Sequence, residues 1–182
     1  MASIEERAAA LALDKTESAE AALREKRQKY TAEIKRHSPA TWLYKRGGTM
    51  KTWKKRFCCI EHGILYYYVS EKDKQLGKPA LGALVLKNSE ARRPTSLGSK
   101  GKYKHTCFRI DLDESAQMQV VEGTASVKGG GGKDDDDDDV ADAKGRLGKS
   151  KWLFAAEDGP SVQQWMTDIS WWSVQGQEVS SF

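Results

Sequence analysis

The sequence has few of the residues that build disulfide-linked or metal-centred proteins. It contains only three cysteines, Cys58, Cys59 and Cys107, each among apolar neighbours in a predicted strand. We therefore expect reduced, buried thiols, as in a cytosolic protein. Adjacent side chains of a strand point to opposite faces, so Cys58 and Cys59 are poorly placed to share a metal ion. We expect no metal site and no cofactor.

Long apolar runs are missing as well. No stretch approaches the roughly 18 apolar residues that a membrane-spanning helix requires. The first residues, MASIEERAAALAL, lack the basic region and apolar core of a secretory leader, and Ala2 stands where N-myristoylation requires glycine. We expect a cytoplasmic protein whose association with membranes is peripheral and reversible.

Catalytic motifs are also missing. The sequence has no P-loop, nucleophile elbow, HExxH motif or zinc-cysteine pattern. Its three histidines, His37, His62 and His105, fall in a linker, a turn and a strand start, without an evident carboxylate partner. We expect His37 to be solvated and the protein not to be an enzyme.

Positive charge is concentrated in one part of the chain. Residues 42–113 contain sixteen lysines and arginines against six aspartates and glutamates, although the net charge of the whole chain is only +4. A basic region implies an anionic partner, which could be a lipid headgroup, an inositol phosphate, an acidic protein or nucleic acid. Nucleic acid is disfavoured, because the aromatic residues do not form an exposed stacking platform.

The composition divides the chain into three parts. Residues 1–38 form a charged helical extension, with a helix predicted from residue 2 to about 36 because no Gly or Pro interrupts it. This helix could dock on the domain, bind a protein or lie on a membrane. Residues 39–175 form a domain that contains a Gly/Asp-rich insertion at about 114–149, predicted to be disordered. Residues 176–182 form a tail.

From Trp42 onward, alternating apolar and polar residues predict strands near 41–46, 53–61, 64–70, 81–87, 105–112 and 150–156. Residues 61–64 predict a two-residue hairpin turn in which Gly63 supplies the positive φ. The resulting register pairs Ile60 with Leu65, Cys58 with Tyr67 and Arg56 with Val69, as in a barrel interior with a charged open end. After residue 158 the sequence predicts a helix with one apolar face, formed by Val162, Trp165, Met166, Ile169 and Trp172. Six aromatic residues are assigned to the core: Trp42, Trp53, Phe57, Phe108, Trp152 and Trp165.

These elements together resemble a pleckstrin homology (PH) domain. The resemblance covers residues 41–173 and depends on WLYKRGGTMKTWKKRF, ILYYY, KPALGALVL, CFRID, KWLFAAED and QQWMTDI in this order. It implies a mainly β fold: a partly open, seven-stranded barrel of two nearly orthogonal antiparallel sheets, capped by a C-terminal helix. In some members of the family, the other end of the barrel holds a phosphoinositide headgroup.

The basic strands are closest in pattern to the PH domains of the cytohesin type. That resemblance implies a headgroup site formed by Lys45, Lys51, Thr52, Lys54, Arg56 and Tyr67. In the family, the first-strand lysine and the second-strand arginine bind ring phosphates, and the tyrosine hydroxyl adds a hydrogen bond. Thr49 stands at a loop position where cytohesin-type domains have a further basic residue.

Two functions therefore remain open. The chain is either a peripheral membrane module that binds phosphoinositides or other anionic headgroups as an adaptor or targeting protein, or an interaction scaffold whose domain and N-terminal helix bind proteins. A second basic stretch, Arg92, Arg93, Lys100, Lys102 and Lys104, would add nonspecific attraction to membranes. The six aspartates at 134–139 are either a solvated spacer or a tethered competitor for the basic site.

Overall fold

The computed structural model describes residues 4–47, 52–94, 102–113 and 151–175, and side chains from residue 15 onward. The chain divides into two compact units, Met1–Arg36 and His37–Phe182. In the first unit, helix α1 spans Ile4–Arg36, close to the helix predicted for 2–36. None of the helices within the described ranges is long and apolar enough to cross a membrane.

Within the described residues, the second unit contains seven strands and two helices. The strands are β1 (Ala40–Arg46), β2 (Trp53–Glu61), β3 (Ile64–Tyr68), β4 (Gly82–Val85), β5 (Glu90–Arg92), β6 (Cys107–Asp111) and β7 (Lys151–Ala155). Helix α2 (Glu71–Gln75) lies between β3 and β4, and helix α3 (Gly159–Gln175) follows β7. Helix α2 and strand β5 were not predicted; they are only five and three residues long.

The predicted fold class is confirmed. All strands pair antiparallel in the order β4-β3-β2-β1-β7-β6-β5. The two sheets that were expected to be separate form one sheet. They are joined by a short ladder between β1 and β7, which pairs Tyr44 with Ala155 and Lys45 with Phe154. The strand that follows the insertion therefore lies directly beside the first strand of the domain.

The β2–β3 hairpin has the predicted register over most of its length. Ile60 pairs with Leu65 and Cys58 with Tyr67, as expected. The predicted pairing of Arg56 with Val69 is wrong, because the ladder ends one pair earlier and Val69 is 39% exposed. The turn also differs in detail: both His62 (φ 49°) and Gly63 (φ 75°) are in the left-handed region, as a type I′ turn requires.

Helix α3 buries most of its predicted apolar face. Val162, Trp165, Ile169 and Trp172 are buried, and Met166 is half-buried. The helix packs against β5 and β6. A Cβ atom placed on Gly63 would lie 3.2 Å from the Trp172 ring, so α3 also reaches the β2–β3 turn. This helix therefore covers the end of the barrel where that turn lies.

His37 is buried, which corrects the prediction of a solvated residue. Its Nδ1 lies 2.8 Å from Asp168 Oδ1, and its ring stacks on Trp171 with 4.7 Å between ring centroids. Trp172 Nε1 donates a hydrogen bond of 2.6 Å to the His37 carbonyl oxygen. The partner carboxylate stands 131 residues further along the chain, so the sequence around His37 gave no sign of it.

Candidate functional site

The basic residues of β1 and β2 meet at one end of the barrel, which we call the mouth: the end where β1 ends and β2 begins. Lys45 pairs directly with Lys54 across the hairpin. Gly47 N donates a hydrogen bond of 2.8 Å to Thr52 O, which ties the ends of the loop together. Thr52 is exposed, and Lys51 lies outside the described residues.

Lys45 is held inside the barrel by aromatic rings. Its side chain is fully buried, with 1% relative exposure. Its Nζ lies 4.7 Å from the centroid of the Tyr67 ring and 5.2 Å from that of Trp152. The faces of aromatic rings carry negative potential, so the two rings offset part of the cost of removing the ammonium from water. Lys45 is thus a fixed positive charge beneath the mouth.

Arg56 and Lys54 complete the basic inner face of β2. Arg56 is 5% exposed and its Nη1 donates to the Lys55 carbonyl oxygen at 3.0 Å, whereas Lys54 is half-buried. Cys58 follows them on the same face. Burial and the neighbouring Cys59 raise the pKa of the Cys58 thiol, while the charges of Lys45 and Arg56 act in the opposite direction. Since burial prevails, Cys58 remains protonated at neutral pH and adds no negative charge to the mouth.

Tyr67 depends on a glycine of the neighbouring strand. Tyr67 is 1% exposed and pairs with Gly82. A Cβ atom on Gly82 would lie 2.8 Å from Tyr67 Cε1 and closer still to Cζ and the hydroxyl oxygen. The tyrosine ring therefore occupies the space that any other residue at position 82 would fill. A glycine inside a strand often marks such a close approach, and this signal could have identified Gly82 from the sequence.

Trp152 is the other supporting residue that sequence reasoning missed. It was assigned to the core, and it is indeed buried, but it also contacts Lys45. Its ring centroid lies 6.4 Å from that of Tyr67, at an interplanar angle of 47°. No local pattern could have revealed this role, because it depends on the pairing of β7 with β1 across the long insertion.

The other predicted core aromatics divide into two groups. Phe57, Phe108 and Trp165 are buried as expected, but Trp42 and Trp53 are only half-buried. Trp42 lies beneath Lys55, with 5.6 Å between Nζ and the ring centroid, and Trp53 lies 5.0 Å from the ring of Tyr103. These two tryptophans therefore belong to the outer face of the β1–β2 hairpin.

The second basic stretch is largely engaged in local contacts. Arg92 is hydrogen-bonded to Asp111, and Arg93 donates a 2.8 Å bond to the His105 carbonyl oxygen. Lys102 is exposed, with its Nζ 5.5 Å from the centroid of the Tyr103 ring. Lys100 lies outside the described ranges. Within those ranges, no group of three or more His, Cys, Asp or Glu residues is arranged to hold a metal ion.

Comparison with known proteins places the chain in a family. The family model described as PH domain matches residues 40–172. The chain therefore belongs to the pleckstrin homology family. No curated protein matches it.

Solved structures of PH domains resemble the chain at low sequence identity. The PH domain of human oxysterol binding protein-related protein 11 is 14% identical, with a TM-score of 0.49, over 80% of this chain and 87% of that one. The ORP8 PH domain is 20% identical, with a TM-score of 0.47, over 74% and 95%. The Slm1 PH domain in complex with inositol 4-phosphate is 11% identical, with a TM-score of 0.44, over 74% and 94%.

Proposed function

We propose that this protein is a non-enzymatic peripheral membrane module of the cytoplasm. It binds phosphoinositides, or other anionic lipid headgroups, at the mouth of its PH domain and serves as an adaptor or targeting protein. The headgroup contacts are assigned to Lys45, Lys51, Thr52, Lys54, Arg56 and Tyr67. The observation that carries the proposal is the convergence of Lys45, Lys54 and Arg56 on the inner face of one hairpin.

The chemistry of the mouth suits a phosphorylated ligand. Phosphate oxygens accept hydrogen bonds and carry concentrated negative charge, so guanidinium and ammonium groups are their best partners. Buried Lys45 and Arg56 supply fixed charge, and the more accessible Lys54 supplies a donor that can adjust to the ligand. Each such residue near an anionic bilayer contributes on the order of 1 kcal/mol, so a few of them are enough for reversible docking.

A vesicle panel tests the proposal. We expect the full chain to bind phosphoinositide vesicles more tightly at low than at high salt, because the attraction is screened. The double variant Lys54→Ala with Arg56→Ala should lose at least roughly tenfold in affinity. Lys87→Ala is a matched control, because Lys87 is an exposed lysine at the opposite end of the barrel. Its neighbour Leu86 donates a backbone hydrogen bond to the Gly63 carbonyl oxygen in the β2–β3 turn. Failure of the unaltered chain to bind any anionic vesicle would refute the proposal.

The alternative is a protein-interaction scaffold that uses α1. In this 33-residue helix, most side chains from residue 15 onward are exposed, and Leu23 is 44% exposed. A surface of this kind is available to a protein partner. The same panel separates the two functions, since a scaffold would bind no anionic vesicle while its domain stays folded.

A further inference from the structure

The outer face of the β1–β2 hairpin carries aromatic side chains where the solvated face of an antiparallel sheet is usually polar. Along β1, Tyr44 and Arg46 are half-buried and alternate with buried residues. Across the hairpin, Tyr44 pairs with Lys55 and Arg46 pairs with Trp53. Aromatic and basic side chains therefore lie side by side on this face, and the proposed headgroup site on the inner face does not use them.

A third ring, from the segment before β6, completes an aromatic cluster. The ring centroid of Tyr103 lies 4.7 Å from that of Tyr44 and 5.0 Å from that of Trp53, at interplanar angles of 36° and 53°. All three residues are half-buried, and we call them the aromatic triad. Because its rings are inclined to one another, the triad does not form one flat surface on which nucleic acid bases could stack.

Basic residues border the aromatic triad. Lys102 is exposed, and its Nζ lies 5.9 Å from the centroid of the Tyr44 ring and 5.5 Å from that of Tyr103. Lys55 is also exposed, with its Nζ 5.8 Å from the centroid of the Tyr44 ring and 3.3 Å from Glu157 Oε1. An ion pair between exposed side chains contributes little, so another carboxylate can replace Glu157. A ligand on the triad therefore gains from acidic groups that reach the two lysines.

The chemistry of the triad suits an extended proline-rich segment. Proline rings pack against aromatic side chains, and the polyproline II conformation exists before binding, so little conformational entropy is lost. The carbonyl groups of such a segment make no internal hydrogen bonds and can accept one from the indole N–H of Trp53. Burial raises the pKa of the Tyr103 hydroxyl more than Lys102 lowers it. Tyr103 therefore stays neutral at neutral pH and does not repel acidic residues.

We propose that the outer face of the β1–β2 hairpin binds a protein partner through an extended segment in which acidic residues flank several prolines. The prolines pack on the aromatic triad, and the acidic side chains pair with Lys55 and Lys102. Side chains alternate between the two faces of a strand, so this site lies on the opposite side of β2 from Lys54 and Arg56. The inference goes beyond headgroup binding and does not depend on it.

A synthetic peptide of six prolines with two glutamates at each end tests the inference. The full chain should bind the fluorescein-labelled peptide with a dissociation constant below about 1 mM, as measured by fluorescence anisotropy. The same peptide with glycines in place of the prolines should bind at least roughly tenfold more weakly, because glycine supplies neither the rings nor the preformed conformation. Equal binding of the two peptides would overturn the inference, since charge alone would then be recognised.

Two variants probe different parts of the site. Trp53→Ala removes one ring of the triad and should weaken peptide binding at least roughly tenfold. Lys102→Glu reverses the charge of an exposed residue and should weaken binding roughly twofold to fivefold, with a smaller effect at high salt. Lys87→Glu is the matched control, because exposed Lys87 follows Leu86, which is bonded to the β2–β3 turn at the other end of β2 from Trp53. This control should bind the peptide like the unaltered chain.

The remaining outcomes separate this site from the mouth. The double variant Lys54→Ala with Arg56→Ala should keep its affinity for the peptide while it loses vesicle binding, and loss of peptide binding in this variant would overturn the inference. Failure of the unaltered chain to bind the proline peptide would also overturn it, as would binding that neither Trp53→Ala nor Lys102→Glu weakens. If a single-stranded oligonucleotide or a phosphoinositide vesicle bound in a Trp53-dependent manner and the peptide did not, the face would belong to that ligand and the inference would be wrong. Circular dichroism checks that Trp53→Ala is folded, and the glycine peptide and Lys102→Glu decide the matter if it is not.

Discussion

Replacing Gly82 by alanine tests whether the aromatic support of Lys45 is as closely packed as the structure indicates. The new Cβ would lie 2.8 Å from Tyr67 Cε1, with the rest of the outer ring closer still. Real Cβ atoms do not come within 3.0 Å of non-bonded atoms, so the ring or strand β4 must move. Tyr67 is 1% exposed, and its ring lies 4.7 Å from Lys45 Nζ and 6.4 Å from the Trp152 ring, so a shift of the ring should disturb these contacts.

The expected cost follows from this overlap. Overpacking a close-packed interior costs typically about 1–3 kcal/mol. In a domain of this size, each kcal/mol lowers the melting temperature by roughly 2–4 °C. We therefore expect Gly82→Ala to melt about 2–12 °C below the unaltered protein, as followed by circular dichroism. Displacement of the ring should also change the ring-current shift of the Lys45 side-chain resonances and weaken headgroup binding.

Gly159→Ala is the matched control. A Cβ atom on Gly159, at the start of helix α3, would have no neighbour within 4 Å. This variant should melt within about 2 °C of the unaltered protein. The reasoning would be refuted if Gly82→Ala melted like the control and left the Lys45 and Tyr67 resonances unchanged.

Two further predictions concern other parts of the chain. His37→Leu removes the imidazole partner of the buried Asp168 carboxylate, which keeps its hydrogen bond from the Gln164 amide, and should lower the free energy of unfolding in urea by roughly 2–4 kcal/mol. Adding Asp168→Leu should restore part of this stability. If the effects of the two substitutions were simply additive, the pairing would be contradicted. Deleting residues 129–145 should tighten binding to anionic vesicles if the aspartate run competes for the mouth, and unchanged affinity would dismiss that competition.

Local sequence patterns were sufficient to predict the parts of the fold in which the interacting residues are close in the chain. The β2–β3 hairpin spans a two-residue turn, so alternation of side chains and the glycine at 63 predicted its register to within one pair. Helix α3 was predicted from the proline near its start and from apolar spacing. Short elements such as β5 escaped prediction, because three residues carry too little periodicity to be distinguished from a loop.

The candidate site shows the same difference between contacts that are close in the chain and contacts that are distant. The order of residues is enough to show that Lys54 and Arg56 share a face of β2 with Cys58, because side chains alternate between the two faces of a strand. Three-dimensional packing sets the contacts of Lys45 with Tyr67 and Trp152, the room that Gly82 leaves for the tyrosine, and the pairing of His37 with Asp168. These contacts join strands and helices far apart in sequence, and their geometry is set by sheet pairing and side-chain volume, which no local pattern records.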